Sequence, residues 1–354
     1  MKRLSVVLII LLLTAGCTGL PPGTTQPPRP PIRTVTTPIG AGISPADHTL
    51  VVEPGDGRAA VLSVIAGARD NITLTIYELN DPEIVDALAA AQGRGVAVRI
   101  IYNNQSFASM HEKNPNAGAI AMLSQAGAET KAASPVFSVT HQKTLTADRS
   151  RSVIMTFNLE PGYFSTTRDF AIITTNMSEV QEIAEVFDAD WDYRSPSPAY
   201  PSLVWSPVNS REKISGIISR ATKTLDVYNE EINDRQCIDA LVAAAKRGVA
   251  VRVIAADLGG GGQNENAPAL AILNNDSVQA KAITLLYIHA KVVLADYGTP
   301  EGVAFIGSEN LGTVSLDQNR ELGILVTDGP VLDRLHAVFS QDWLVFGIPV
   351  TGTG

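Results

Sequence analysis

From about residue 50 onward, short Val/Ile-rich runs alternate with longer Ala/Leu-rich stretches, and the alternation occurs twice. The stretch Ala87–Ile100 (ALAAAQGRGVAVRI) returns as Ala240–Val253 (ALVAAAKRGVAVRV). In each copy the spacing predicts a helix that stops at Arg-Gly, where glycine suits the left-handed position after a helix, followed by a strand. A further strand is expected before each helix, at Ile72–Tyr77 and Leu225–Tyr228. After each copy come a polar loop, a helix-like stretch, more strands and a closing helix. Those helices carry Phe187-x-x-Asp190-Trp191 and Phe339-x-x-Asp342-Trp343. Strands interleaved with helices predict an α/β fold of two pseudo-symmetric halves, each a mixed sheet flanked by helices. The halves are expected over 46–193 and 203–348. The three prolines in 194–202 mark the link, and 349–354 form a tail.

The beginning of the chain differs in kind. Met1-Lys2-Arg3 is basic, Ser5–Leu13 is nearly all aliphatic, and Thr14-Ala15-Gly16 are small. The apolar run falls short of the about 20 residues a bilayer span needs, so 1–16 read as a signal peptide. Its ending resembles a bacterial lipoprotein signal, which implies that Cys17 becomes the lipidated first residue. Residues 18–45 hold eight prolines. Such a composition stays extended and builds no core, so 17–45 are expected to be the lipidated cysteine and a tether. An extracytoplasmic protein held at a membrane surface by its lipid anchor is the expectation.

Charge and composition narrow the function classes. The chain has 27 basic and 36 acidic residues, a formal charge of −9 that becomes −11 without Lys2 and Arg3. Nucleic-acid binders neutralise phosphates with Lys and Arg, so nucleic acid is a disfavoured partner. A local basic pocket for one phosphate remains compatible with that charge. Two cysteines, Cys17 and Cys237, exclude a disulfide scaffold and a multi-Cys zinc site. Five histidines leave little for a metal cluster, so no metal and no cofactor is expected.

The chemistry concentrates in a repeated pattern. His141-Gln142-Lys143 is followed by Asp148, and His289-Ala290-Lys291 by Asp296; both read H-x-K-x-x-x-x-D. Two of five histidines meeting this by chance is on the order of 1 in 10,000. Further on, Asn158 precedes Asp169 by eleven residues, and Asn310 precedes Glu321 by the same interval. On a strand, alternate side chains share a face, so each His and its Lys are expected to point together. A neutral imidazole attacks phosphorus, and a protonated one donates to the departing alkoxide. Two lysines and two Asn amides supply donors for the non-bridging oxygens. Asp169 and Glu321 each hold the tautomer of a histidine. Asp148 and Asp296 sit an odd interval past their histidines, before turn-like sequence, and are read as structural.

These residues resemble the phospholipase D superfamily, whose members carry this motif twice in one chain or once in each subunit of a dimer. The resemblance runs from about residue 50 to 346. It implies a bilobed α/β fold with both motifs meeting between the halves, a phosphohistidine intermediate, and His141 as nucleophile with His289 as general acid. Met155-Thr156 stands where the second half has Gly307-Ser308, and Asp169 where it has Glu321. The implied activity is hydrolysis of a glycerophospholipid such as phosphatidylcholine to phosphatidate and an alcohol, or phosphatidyl transfer through the same intermediate. The alternatives are a metal-independent extracytoplasmic endonuclease and a non-catalytic surface-binding lipoprotein. With both motifs in one chain, a monomer is expected to suffice.

Other signals are weaker. Gly259–Gly262 lack a following Gly-Lys-Ser/Thr and read as a loop, and His111 reads as an exposed loop residue. His48 and His336 read as tether and helix surface. Glu78, Glu230 and Glu231 read as strand-end solvation, with lining of the cleft as the other reading. Cys237 reads as a small buried apolar residue.

Overall fold

A computed structural model describes residues 47–104, 114–259 and 264–345. The leader, Cys17, the 17–45 tether, His111, Gly260–Gly262 and the tail 349–354 lie outside the described residues. Among the described residues no helix is long and apolar enough to cross a membrane.

The first half runs β1 (His48–Glu53), α1 (Ala59–Gly67), β2 (Asn71–Ile76), α2 (Pro82–Gly93), β3 (Ala97–Tyr102), α3 (Ala117–Gln125), β4 (Glu129–Ala132), β5 (Thr144–Ala147), β6 (Arg151–Met155), β7 (Thr167–Thr174) and α4 (Met177–Trp191). The second runs β8 (Leu203–Ser206), α5 (Ser210–Arg220), β9 (Thr224–Asn229), α6 (Arg235–Lys246), β10 (Ala250–Ala256), α7 (Ala267–Asn275), β11 (Gln279–Ile283), β12 (Tyr287–Ile288), β13 (Val292–Ala295), β14 (Val303–Gly307), α8 (Thr313–Asp317), β15 (Glu321–Val326) and α9 (Gly329–Val345).

The repeated helices begin and end for local reasons. Pro82 opens α2, where a missing N–H costs nothing, and the Asp81 side chain accepts the amides of Glu83 and Ile84. Asp234 caps α6 by accepting the Cys237 amide. Beyond each helix, Gly95 (φ 92°) and Gly248 (φ 94°) take the left-handed turn that starts the next strand. Helical crossovers make β2–β3–β4 and β9–β10–β11 parallel, β12 lies parallel to β7, and the remaining neighbours are antiparallel, so both sheets are mixed. The strand orders are β1-β7-β6-β5-β2-β3-β4, with β12 added beside β7, and β11-β10-β9-β13-β14-β15-β8. Two pseudo-symmetric α/β halves result.

The central strands β5, β13, β14 and β15 are buried at every residue because both sheet faces are covered. Helices cover one face, over separate cores built around Leu74, Leu88 and Ile100 in the first half and Val227, Leu241 and Val253 in the second. A third core joins the halves, bringing Leu50, Ile154, Phe170 and Ile172 together with Trp205, Tyr228, Ile306, Leu322 and Ile324. Burying each such side chain contributes roughly 1.5–3 kcal/mol, so the sheets meet face to face. The segment 194–202 is pinned where it starts the second half: Glu182 on α4 accepts the amides of Ala199 and Tyr200 at 2.7 and 2.6 Å.

Candidate active site

Each motif histidine stands on backbone that is registered against the other half. His141 and Gln142 donate their amides to the Arg320 carbonyl at 2.9 and 3.0 Å, and Thr140 bridges to Arg320. In mirror fashion, His289 and Ala290 donate to the Arg168 carbonyl at 3.2 and 3.0 Å, and β12 pairs with Thr167–Arg168. The His-x-Lys segments therefore precede β5 and β13 rather than lying on them, which corrects the strand placement expected from the sequence. The reason is that the amides of each His and of the residue after it bond to the opposite half, and the neighbouring strand is rejoined only at the Lys143 and Lys291 carbonyls, which accept the Met155 and Gly307 amides.

This register crosses the acids over. Asp169, next to Arg168, puts Oδ1 2.9 Å from His289 Nδ1; Glu321, next to Arg320, puts Oε2 2.8 Å from His141 Nδ1. Each carboxylate is itself held. Thr156 and Thr167 donate to Asp169 at 2.5 and 2.6 Å, and Ser315 and Asn319 donate to Glu321 at 2.7 and 3.0 Å. A carboxylate only accepts, so each Nδ1 carries the hydrogen and each Nε2 is left for chemistry. Burial opposes ionisation of Glu321, but His141 and Lys143 hold it below the usual carboxylate range. Burial, reinforced by the Lys143 charge, outweighs Glu321 and pulls His141 down to about 4, so its ring is neutral at pH 7.

The two lysines lie at the bottom of the site, 1% and 0% exposed. Lys143 donates to the His141 carbonyl at 2.6 Å, and Lys291 makes the equivalent contact to the His289 carbonyl. Burial first, then Lys291, lowers Lys143 to about 7. The motif amides do not face open space: Asn158 donates to Glu78 at 3.2 Å and Asn310 to Glu230 at 3.3 Å. Glu230 also reaches Lys291 Nζ at 2.8 Å and approaches His289 Nε2 at 3.6 Å, and the Tyr287 hydroxyl donates to it at 2.6 Å. Reading these glutamates as strand-end solvation is thus wrong for Glu78 and Glu230, which line the site. Burial, with Glu160 nearby, raises Glu78 to about 7, whereas Lys291 and His289 hold Glu230 well below its ordinary value despite burial. Tyr163 packs against His289 with ring centres 4.6 Å apart, and Tyr77 against His141 at 4.8 Å.

Several supporting residues were not picked out from the sequence. Arg320 forks onto Asp190 at 2.7 and 2.8 Å, and Arg168 forks onto Asp342 at 2.7 and 2.9 Å. The arginine that precedes each acid thus clamps the Phe-x-x-Asp-Trp helix of the other half. The signal was present, since both Arg-acid pairs and both helix motifs recur. Asp148 accepts the amides of Arg69, Asp70 and Asn71, and Asp296 those of Thr222, Lys223 and Thr224, tying a turn to the strand end away from the histidines. Glu309 is fully buried with neither carboxylate oxygen hydrogen-bonded, in the place Phe157 occupies in the first half, and burial pushes its carboxyl well up. His48 is buried in β1 against Glu179 at 3.0 Å, not part of a tether. Cys237 is buried on α6.

Residues 61–191 and 214–343 match the family described as Cardiolipin synthase, PLD-like domain. The chain belongs to this PLD-like family. It is 26% identical over 123 residues to a probable phospholipase D of Caenorhabditis elegans, covering 33% of this chain and 21% of that protein. The PLD-like fold superimposes on a phosphatidylserine synthase of Haemophilus influenzae with TM-score 0.65 and 12% identity, over 85% of this chain and 87% of that one. It superimposes equally, at 0.65 and 17% identity, on a polyphosphate kinase of Porphyromonas gingivalis, over 83% of this chain and 50% of that one. This PLD-like chain therefore spans a fifth of the curated relative and half of the kinase.

Proposed function

We propose that this protein is a phospholipase D-type phosphodiesterase that hydrolyses a glycerophospholipid, such as phosphatidylcholine, to phosphatidate and the free head-group alcohol. The observation that carries this reading is the crossed pair His141–Glu321 and His289–Asp169, which sets two oriented imidazoles beside two buried lysines. His141 Nε2 forms a bond to phosphorus as the bond to the head-group oxygen breaks, and His289 gives that oxygen its proton. Water then passes a proton to His289 and attacks phosphorus, the N–P bond breaks, and phosphatidate leaves. An alcohol in place of water yields phosphatidyl transfer. Lys143, Lys291, Asn158 and Asn310 meet the non-bridging oxygens, which requires Glu78 and Glu230 to yield their hydrogen bonds.

The surroundings favour a lipid over a polyanion. Glu78, Glu160, Glu230 and Glu231 near the site repel a chain of phosphates, and the rings of Tyr77, Tyr163 and Tyr287 suit a choline-type cation. An anchor at Cys17 on the extracytoplasmic side of a membrane would supply the substrate surface. The donors already present leave no task that requires a metal or cofactor. The test is turnover of phosphatidylcholine, phosphatidylglycerol and plasmid DNA by the purified protein in EDTA. Lipid cleavage without DNA nicking is expected; nicking without lipid turnover selects the endonuclease, and activity on none of them returns the surface-binding lipoprotein.

A further inference from the structure

Besides Asp169 against Glu321 and Phe157 against Glu309, a further position inside the site breaks the match between the two halves. Leu79 bridges to Leu159, and Ile232 bridges to Leu311, in equivalent places. The Asn116 amide donates to the Tyr77 carbonyl at 2.9 Å, as the Asn266 amide does to the Glu230 carbonyl at 2.7 Å. Both contacts align Tyr77 with Glu230, and each faces the His–Lys pair of its own half. The Tyr77 ring lies edge-on to His141 at 4.8 Å, with Lys143 Nζ 5.0 Å from its centre. Glu230 lies 2.8 Å from Lys291 Nζ and 3.6 Å from His289 Nε2. A phenol therefore stands in one half where the other has a carboxylate.

We infer that Glu230 is the positioning residue that divides the roles of the two histidines: its carboxylate keeps the proton on His289 Nε2, while Tyr77 leaves His141 Nε2 without an anion and available to attack. The inference rests on the two-histidine reading above and adds what separates the roles. The groups facing His289 are Asp169 of β7 at Nδ1, Glu230 after β9 at Nε2, Glu160 and Tyr163 from the 160–164 turn, and Tyr287 and Lys291 on its own segment. His289 thus lies between two carboxylates, one at each ring nitrogen. For His141 the ion pair is with Glu321 alone among the described residues, at Nδ1. An imidazolium beside two anions and Lys291 is favoured over one beside a single anion and both lysines.

Ring-labelled histidines in the full chain, followed by NMR across pH, read this without any substrate. Glu230→Gln keeps the size and removes the charge. His289 should then bind its proton about tenfold more weakly, with His141 moved far less and the lines of His48 and His336 reporting an intact fold. Glu230→Asp should restore the native titration. A His289 titration unmoved by Glu230→Gln overturns the inference, as does an equal shift at His141. Kinetics give a second readout. A p-nitrophenyl diester needs little protonation to depart and an alkyl diester needs it fully, so Glu230→Gln should widen the ratio of their rates about tenfold. Equal losses on both would reduce Glu230 to a support for Lys291 and overturn the inference. A native chain that cleaves neither diester would refute the phosphodiesterase reading, while the titration would still decide this one.

Discussion

Removing Asp190 should damage both the stability of the fold and the geometry of the site, through one buried arginine. Arg320 is 1% exposed, and its guanidinium is held by two charge-assisted bonds of 2.7 and 2.8 Å to Asp190 across the junction of the halves. Asp190→Ala strands that charge, and breaking one partner of a buried pair costs about 3–5 kcal/mol. With an unfolding entropy of about 2.1 cal/mol/K per residue over roughly 300 residues, that is a fall in Tm of roughly 5–8 °C. Activity should fall as well. The Arg320 carbonyl receives the His141 and Gln142 amides, and the next residue, Glu321, orients the His141 ring. A shift near 1 Å there is worth about 100-fold in kcat, with KM changed far less. Calorimetry and lipid turnover on the same preparation measure both. Asp190→Ala with Arg320→Met removes both charges and should recover most of the Tm while leaving kcat low, because an apolar pair repacks but does not restore the register. A single variant with native Tm would refute the buried-charge reasoning. A single and a double variant of equal Tm would show that the cost lies in lost packing instead.

Three further outcomes are expected. Lys143→Ala and Lys291→Ala should each lower turnover by about 100-fold or more with the fold intact, as for other transition-state donors; a near-native single-turnover rate would remove that lysine from the site. On a substrate with a good leaving group, the rate should rise about twofold as pH falls from 7 to 6 and Lys143 takes up its proton, then drop near 4, where His141 gains one. It should decline above about 7 as Lys143 loses its own. An acid limb near 6.5 in single-turnover kinetics would contradict the neutral nucleophile. Gly307→Ala should be strongly destabilising in urea unfolding, because its Cβ would collide with Glu309 Oε2 and with Gly323 Cα; Gly307→Ala with Glu309→Ala should relieve only the first clash.

Much of this protein is written in short-range sequence. Helix ends at Arg94-Gly95 and Arg247-Gly248, the caps before α2 and α6, and the doubling of the whole pattern follow from neighbours within a few residues, whose geometry local sterics and hydrogen bonding decide. The candidate residues were legible too, because His141, Lys143, Asn158 and Asp169 recur in the same order as His289, Lys291, Asn310 and Glu321. Which acid serves which histidine was not legible. Glu321 and His141 are 180 positions apart, and Asp169 and His289 are 120 apart. Their pairing arises only when the two sheets meet on their shared core and each His-x-Lys segment bonds to the strand start of the other half. Glu230 and Tyr77 occupy matched positions in different company, and spacing along the chain carries no sign of the charge that will face a ring from across a fold. Two such halves can agree in every local rule and still place different charges beside their histidines, because the field at a buried atom sums over whatever the tertiary contacts bring near it.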